Sequence, residues 1–283
     1  MIDLHMHTTA SDGRCSPGGL VEQAREAGIT TLAVSDHDTM AAVPAVSAAA
    51  AAAGLGFVPG IEITSVSAGK DVHVLAYFLD PETPGLSELI ADQRRRRVER
   101  AREIGERLAR MGAPIDVADL TGKAASQSGK AIARPQIAQA LIDAGHVATV
   151  AEAFDRYLGE SCGAYVPHTG ASPEEVVRLI VAGGGIASMA HPGYTKQDGI
   201  IPHLVEAGLG AIEAYHSSHD SETTARYVEL ASSFGLVLTG GSDYHGEGTR
   251  RSEFFGKTHL PEEDYLRFLE RAGRTRETPA GSL

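Results

Sequence analysis

Cysteine is scarce in this chain: two of 283 residues, Cys15 and Cys162, far apart and in no CxxC pair. A disulfide framework is thereby disfavoured, and a reducing cytoplasm fits better. Also missing are an N-terminal basic-then-apolar secretion signal and any run approaching the ~18 uncharged apolar residues of a membrane span. The alanine-rich run Ala41–Ala53 is too short for that and reads as a packed helix. There is no internal repeat, and the absence of tryptophan excludes nothing. Positive charge is in deficit: 25 Lys and Arg against 37 Asp and Glu give a net −12. Such a chain repels a long polyphosphate backbone unless metals or a local basic patch reverse the field. A short phosphorylated ligand at a metal site stays open; long nucleic acid and membrane are not expected partners.

What is present is enough apolar material, 42%, for a substantial core, and a length that suits one large domain or a domain with an insertion. Short apolar runs at about 1–7, 30–36, 56–63, 72–78, 185–190, 209–215 and 235–241 read as strands, with amphipathic helices between them. Ser16-Pro17 opens one helix as N-cap and first residue, and Ser172 with Glu175 forms a capping box for another. Strand–helix alternation implies a mainly parallel sheet, and about seven strands favour a barrel. One connection breaks the pattern. Only Ile63–Val72 separate Glu62 from His73, too few for a parallel crossover, so an antiparallel hairpin is expected there.

Residues 93–164 differ in character and divide the chain into a first barrel part (1–92), a helical insertion over the barrel mouth, and a second barrel part (165–283). Arg94–Arg110 carries eight arginines and three glutamates, a local +5 on an acidic protein. Either these arginines face a ligand or they form a solvated helix face paired with Glu99, Glu103 and Glu106. Helical patterns at 135–145 and 149–158 follow, the first of them after a Gly/Ser/Lys-rich stretch, Thr121–Lys130.

Ligand-type side chains recur at strand ends. His5 and His7 alternate onto one face of the first strand, ~6–7 Å apart. Asp12 follows in the next loop, His37 ends the second strand, Glu62 follows the third, and His73 opens the fourth. His191 closes a later strand, and Asp243 and His245 follow the last. If the fourth strand is antiparallel, His73 joins the same barrel face as Glu62, the face where barrel active sites sit. A lone histidine is more often hydrogen-bonded structure than ligand. Nine such groups gathered at one end would leave several buried polar groups unpaired unless cations neutralise the carboxylates and use the nitrogen lone pairs. Mixed His and carboxylate donors suit manganese, iron(II) or zinc, and nine donors exceed one site, so two or three divalent cations are expected, manganese first.

The runs His5-Met6-His7-Thr8-Thr9-Ala10-Ser11-Asp12-Gly13, Ser35-Asp36-His37-Asp38-Thr39, Pro59-Gly60-Ile61-Glu62, Asp71-Val72-His73, Ala190-His191-Pro192 and Gly241-Ser242-Asp243-Tyr244-His245 together resemble the PHP (polymerase and histidinol phosphatase) phosphoesterase family. The resemblance implies an α/β fold, a distorted (β/α)7 barrel with a helical insertion, and a trinuclear metal centre. By position, His5, His7, Glu62 and Asp243 would hold one metal. Glu62, His73 and His191 would hold a second, and Asp12, His37 and His245 a third. The insertion resembles the branch acting on nucleoside 3′,5′-bisphosphates, some relatives of which trim short RNA from its 5′ end. There Arg134 looks like the phosphate-binding residue, a role that suits its bidentate fork. His219, in the segment Ile212–His219, is the candidate leaving-group acid or phosphate contact, and His168 is a further candidate. His146, His203 and His259 lie in no motif.

The expected activity is removal of the 3′-phosphate of a nucleoside 3′,5′-bisphosphate by metal-assisted hydrolysis. Alternatives are a 5′-3′ exonuclease on short RNA, a histidinol-phosphate phosphatase, an amidohydrolase, and a non-enzymatic metal-binding module. The amidohydrolase class typically bridges its metals with a carboxylated lysine, whereas Glu62 is the bridging candidate here.

Overall fold

A computed structural model describes residues 1–126, 134–249 and 251–274. The chain begins with a two-residue strand, β1 (Ile2–Asp3), and helix α1 (Pro17–Glu26). The Ser16 side chain accepts from the Gly19 amide and Pro17 supplies a preset φ, as the sequence pattern predicts. β2 (Thr31–Val34) and α2 (Val43–Ala53) follow, the latter burying Val46 and Ala50 and ending on left-handed Gly54. β3 (Gly56–Ser67) and β4 (Lys70–Tyr77) form the expected antiparallel hairpin.

The hairpin is longer than the spacing suggests. Ile63–Val72 is almost wholly strand, turning only at Ala68 and Gly69, both at positive φ (50° and 77°). This is the two-residue turn geometry that matches strand twist. Its cause is the β-branched run Ile61-Glu62-Ile63-Thr64-Ser65-Val66, which favours continued pairing. The arm therefore extends past Glu62, and its tip reaches the cleft described below.

After β4 come α3 (Leu86–Arg110), α4 (Val117–Ser126), α5 (Arg134–Asp143) and α6 (Val150–Ala153), which runs into a π-turn over Phe154–Leu158. Then α7 (Pro173–Ala182), with its Ser172/Glu175 capping box, leads to β5 (Ile186–Met189). The chain finishes with α8 (Pro192–Thr195), α9 (Ile201–Ala207), β6 (Ala211–His216), α10 (Ser221–Phe234), β7 (Val237–Gly241) and α11 (Glu262–Arg271). Residues 127–130 of the Gly/Ser/Lys-rich stretch lie outside the described residues.

The seven strands form one sheet in sequence order. All neighbours are parallel except those of β4, which is antiparallel to both β3 and β5. The sheet nearly closes into a barrel. Across the remaining seam the Leu4 amide donates to Gly240 O (3.0 Å), Asp243 N to His5 O (2.8 Å) and His7 N to Tyr244 O (2.9 Å). These bonds bring the ends of β1 and β7 side by side.

Two apolar clusters matter for the site. The barrel core includes Leu4, Val58, Ile61, Val74 and Ile212 and receives Leu86, Leu89 and Ile90 from the start of α3. The second half of α3 supplies Ala101, Ile104 and Leu108 to a separate cluster with Ile137, Leu141, Leu158 and Val166. Residue 93, where the insertion was expected to begin, thus falls inside a continuous helix. Among the described residues no helix is long and apolar enough to cross a membrane.

Candidate metal and phosphate site

Scaffolding acids fix the loops that carry the ligand-type residues. Asp3 accepts from the backbone of His5 (3.2 Å) and from both the amide and hydroxyl of Ser242 (3.0 and 2.6 Å), tying β1 to the end of β7. Asp36 accepts from the Thr8 amide and hydroxyl and from Ser11, anchoring the loop that holds Asp12. Gly241 permits the seam: a Cβ there would lie 2.4 Å from His5 N. Three non-glycine residues at the site, Asp38, His191 and Asp243, sit at positive φ (49°, 29° and 53°), strain of the kind that clusters at functional positions.

All nine candidate ligands meet in one place. The carboxylate of Glu62, 1% exposed, is their centre. It lies 3.3 Å from His5 Nε2, 3.3 Å from His7 Nε2, 3.1 Å from His37 Nδ1, 2.8 Å from His73 Nδ1 and 3.1 Å from His191 Nε2. Asp243 Oδ1 is 3.1 Å from His7 Nε2 and 3.6 Å from His5 Nε2. Asp12 faces His7, His37 and His245 at 3.3 to 3.8 Å. Donor atoms group as His7/Asp12/His37/His245, His5/His7/Glu62, His37/Glu62/His73 and His5/His216/Asp243. The first group holds the three residues of the third site implied by the resemblance, joined by His7. The fourth contains His216, which was not expected.

The chemistry of this donor set fits divalent cations. Although buried, His7 Nδ1 and Nε2, His37 Nδ1, His191 Nδ1 and Asp243 Oδ1 lack a hydrogen-bond partner among the described residues. Unpaired buried polar atoms are costly, and a cation would satisfy them together. Burial, reinforced by the charges of His245 and His37, holds His7 well below the usual imidazole range, so it presents lone pairs. Burial alone would raise Glu62, but His37, His73 and His5 outweigh it and keep the carboxyl ionised. His245 has Nδ1 2.9 Å from the Asp243 carbonyl; donating there would leave Nε2 as an acceptor facing Asp12.

Sequence reasoning missed three groups. Glu213, in β6, accepts from His5 Nδ1 (2.8 Å) and from the His191 amide (2.7 Å), orienting two candidate ligands with one carboxylate. An acid inside the apolar strand Ala211-Ile212-Glu213-Ala214 was the available signal. His216 Nε2 lies 3.3 Å from Asp243 Oδ2. Arg251 pairs with the same carboxylate and stands over the Tyr194 ring. Replacing Glu213 by Gln keeps the volume but removes the charge that fixes the His5 tautomer. Metal affinity is expected to fall by about 10–100-fold, the usual cost of losing such an outer partner. Titration of the metal-free variant with manganese checks this.

A cleft of about 550 Å³ opens beside the cluster. His37, His73 and His191 line it, and so do Lys70, Arg97, Arg100 and Arg134. Arg134, the first residue of α5, stacks its guanidinium over Phe154 (5.7 Å) and Tyr165 (5.8 Å). The π-turn contributes Phe154, and such turns often occur at functional sites. The arginine-rich helix divides its charges. Arg97 is buried against Asp38 and Thr64, and Arg100 donates to Val166 O (2.9 Å). Arg95 pairs with Asp92 and Glu99, and Arg107 with Glu103. The acid-paired face expected from the sequence accounts for Arg95 and Arg107, while Arg97 and Arg100 turn inward and line the cleft.

His219 requires correction. Its Nδ1 bonds Ala214 O (2.9 Å) and its Nε2 accepts from the Gly193 amide (3.1 Å), while its ring stacks on Tyr227. With both nitrogens held by backbone, it fixes the turn after His191 and has no free proton to give a leaving group. His168 does line the cleft and is taken up below.

The PHP domain pattern matches residues 3–155. The chain is 33% identical over 254 residues to the 5′-3′ exoribonuclease Rnm of Salmonella typhimurium, covering 87% of this chain and 85% of that protein. It is 34% identical over 262 residues to a 3′,5′-nucleoside bisphosphate phosphatase of Chromobacterium violaceum, covering 88% and 89%. A solved structure from Bifidobacterium adolescentis superposes with a TM-score of 0.84 at 32% identity, covering 95% of this chain and 96% of that one.

Proposed function

The chain belongs to the PHP domain family, and on that premise we propose that it is a metal-dependent phosphoesterase removing the 3′-phosphate of nucleoside 3′,5′-bisphosphates. The observation that carries this reading is one cleft lined both by the imidazoles of His37, His73 and His191 and by Arg100 and Arg134, which form no ion pair with an acid among the described residues. A substrate with two phosphates suits both sets of side chains at once. The cations, manganese in our reading with iron or zinc as alternatives, would be held in two or three sites by His5, His7, Asp12, His37, Glu62, His73, His191, Asp243 and His245. When bound, they supply Lewis-acid charge to the phosphoryl group and acidify water at neutral pH.

The chain's own residues orient the substrate. Glu213 holds His5 and the His191 backbone. Arg134, held against the rings of Phe154 and Tyr165, presents a fork that matches a phosphate bidentately. An amino alcohol phosphate would put an ammonium group against these arginines, which disfavours the histidinol-phosphate reading. A second reading, 5′-3′ trimming of short RNA, draws support from the Salmonella relative, since an RNA 5′-phosphate carries the same charge to the same wall.

Phosphate release from adenosine 3′,5′-bisphosphate, adenosine monophosphates, histidinol phosphate and a 5′-phosphorylated dinucleotide, measured side by side, tests the proposal. The bisphosphate is expected to be preferred; hydrolysis of none would remove the enzyme reading. Arg134→Ala is expected to raise KM for the bisphosphate by about 10–100-fold with kcat little changed, because a charged hydrogen-bond partner contributes about 1.5–3 kcal/mol.

A further inference from the structure

His168 is 4% exposed and lines the cleft, yet no role described above employs it. Its Nδ1 lies 2.6 Å from Asp71 Oδ1, the hairpin residue two places from His73. That bond fixes one nitrogen and leaves the other, Nε2, buried without a partner among the described residues. A histidine serving only packing would satisfy both nitrogens or turn the second to solvent. Keeping one desolvated beside a cleft is costly unless a ligand repays it.

The surroundings say what ligand. Lys70, Arg100 and Arg134 share this wall, opposed by Asp71, already engaged by His168, and Glu160. Arg100 is half-buried, and burial, aided by the like charge of Arg134 and opposed by Asp71, weakens its hold on its proton. Two arginines and a lysine lining the same cleft as this desolvated imidazole nitrogen match a terminal phosphate, whose oxygens accept from several donors at once. A phosphodiester in the same place would offer fewer free oxygens and one charge.

Resting on the bisphosphate reading, we propose that His168, donating Nδ1–H to Asp71, is a specificity-determining residue that binds as an imidazolium and donates Nε2–H to the non-reacting terminal phosphate of the substrate. It acts beside Arg134 and does not touch the reacting phosphoryl group.

The test compares His168→Asn, which keeps an amide near the Nδ1 position but removes Nε2, with His168→Gln, whose longer amide reaches toward the Nε2 position. In the metal-loaded enzyme, His168→Asn is expected to raise KM for adenosine 3′,5′-bisphosphate about 10–100-fold with kcat within about twofold. Adenosine 3′-monophosphate, lacking the second phosphate, should be hydrolysed as by the parent, and His168→Gln should recover much of the loss. Calorimetric titration with adenosine 5′-monophosphate should show a matching rise in Kd. Equal losses on both nucleotides, or an unchanged Kd, would overturn the assignment. If the parent protein hydrolyses no nucleotide, the proposed function fails and the titration alone decides. Weaker binding by His168→Asn then supports the phosphate contact, and an absence of binding by the parent overturns it. Should His168→Asn not fold by circular dichroism, Asp71→Asn replaces it, with a smaller rise in Kd expected and no rise counting against the proposal.

Discussion

Glu62→Gln is expected to lower kcat/KM by about a thousandfold or more and to strip bound metal, while leaving the fold intact. One carboxylate stands within 3.3 Å of five imidazoles, so no other residue at the site meets as many of the candidate ligands. Glutamine preserves the shape and some hydrogen bonding but withdraws the negative charge that lets cations sit close together among neutral rings. The Lewis-acid contribution at such sites is several kcal/mol, and each 1.36 kcal/mol is tenfold in rate. Circular dichroism would verify folding and elemental analysis the metal content. A variant with full metal occupancy and parental kinetics would refute the role of Glu62.

Chelation followed by gel filtration is expected to reduce phosphate release to background, with activity returning on addition of manganese. Stability should fall as well. A ligand present at a thousand times its Kd stabilises by about 4 kcal/mol, so the metal-free protein should melt about 10 °C lower. The pH dependence should change too. In the metal-free protein burial works against the charged form of His5, but Glu213 and Glu62 outweigh it and push the imidazole up from its usual value. A raised histidine gives stability that is complete below about pH 6.5 and is lost as pH climbs through the folded-state value. The metal-free form should therefore weaken on the alkaline side of neutrality, whereas the loaded form, with His5 already neutral, should not. Melting curves from pH 6 to 9 with and without manganese check this, and metal addition in weak buffer should release protons.

Much of the architecture was legible from local rules. The serine caps at Ser16 and Ser172 are short-range chemistry, and they lie where the pattern puts them. The hairpin followed from chain length alone, because ten residues cannot carry a parallel crossover. Its extent did not, since strand continuation past Glu62 depends on pairing with a partner strand. The start of the insertion was set by a change in composition, but α3 is one helix whose two halves pack into different cores. Nothing in its own sequence marks the crossing point.

By itself the sequence determined the identities of the metal-type side chains and their placement at strand ends, because alternation and strand direction are properties of the backbone. It also determined the sign of the charge presented by the insertion. Only the tertiary structure decided which residues serve that cluster from outside the motifs. Strict alternation sets Glu213 and His216 on opposite faces of β6, but an irregularity between Glu213 and Tyr215 shifts the register, and both reach the site. The same holds for His219 and His168. Equivalent as letters, one has both nitrogens consumed by backbone groups and the other keeps a nitrogen unmatched beside the cleft. A hydrogen bond depends on where a distant segment stops, and that is fixed by packing across the whole barrel.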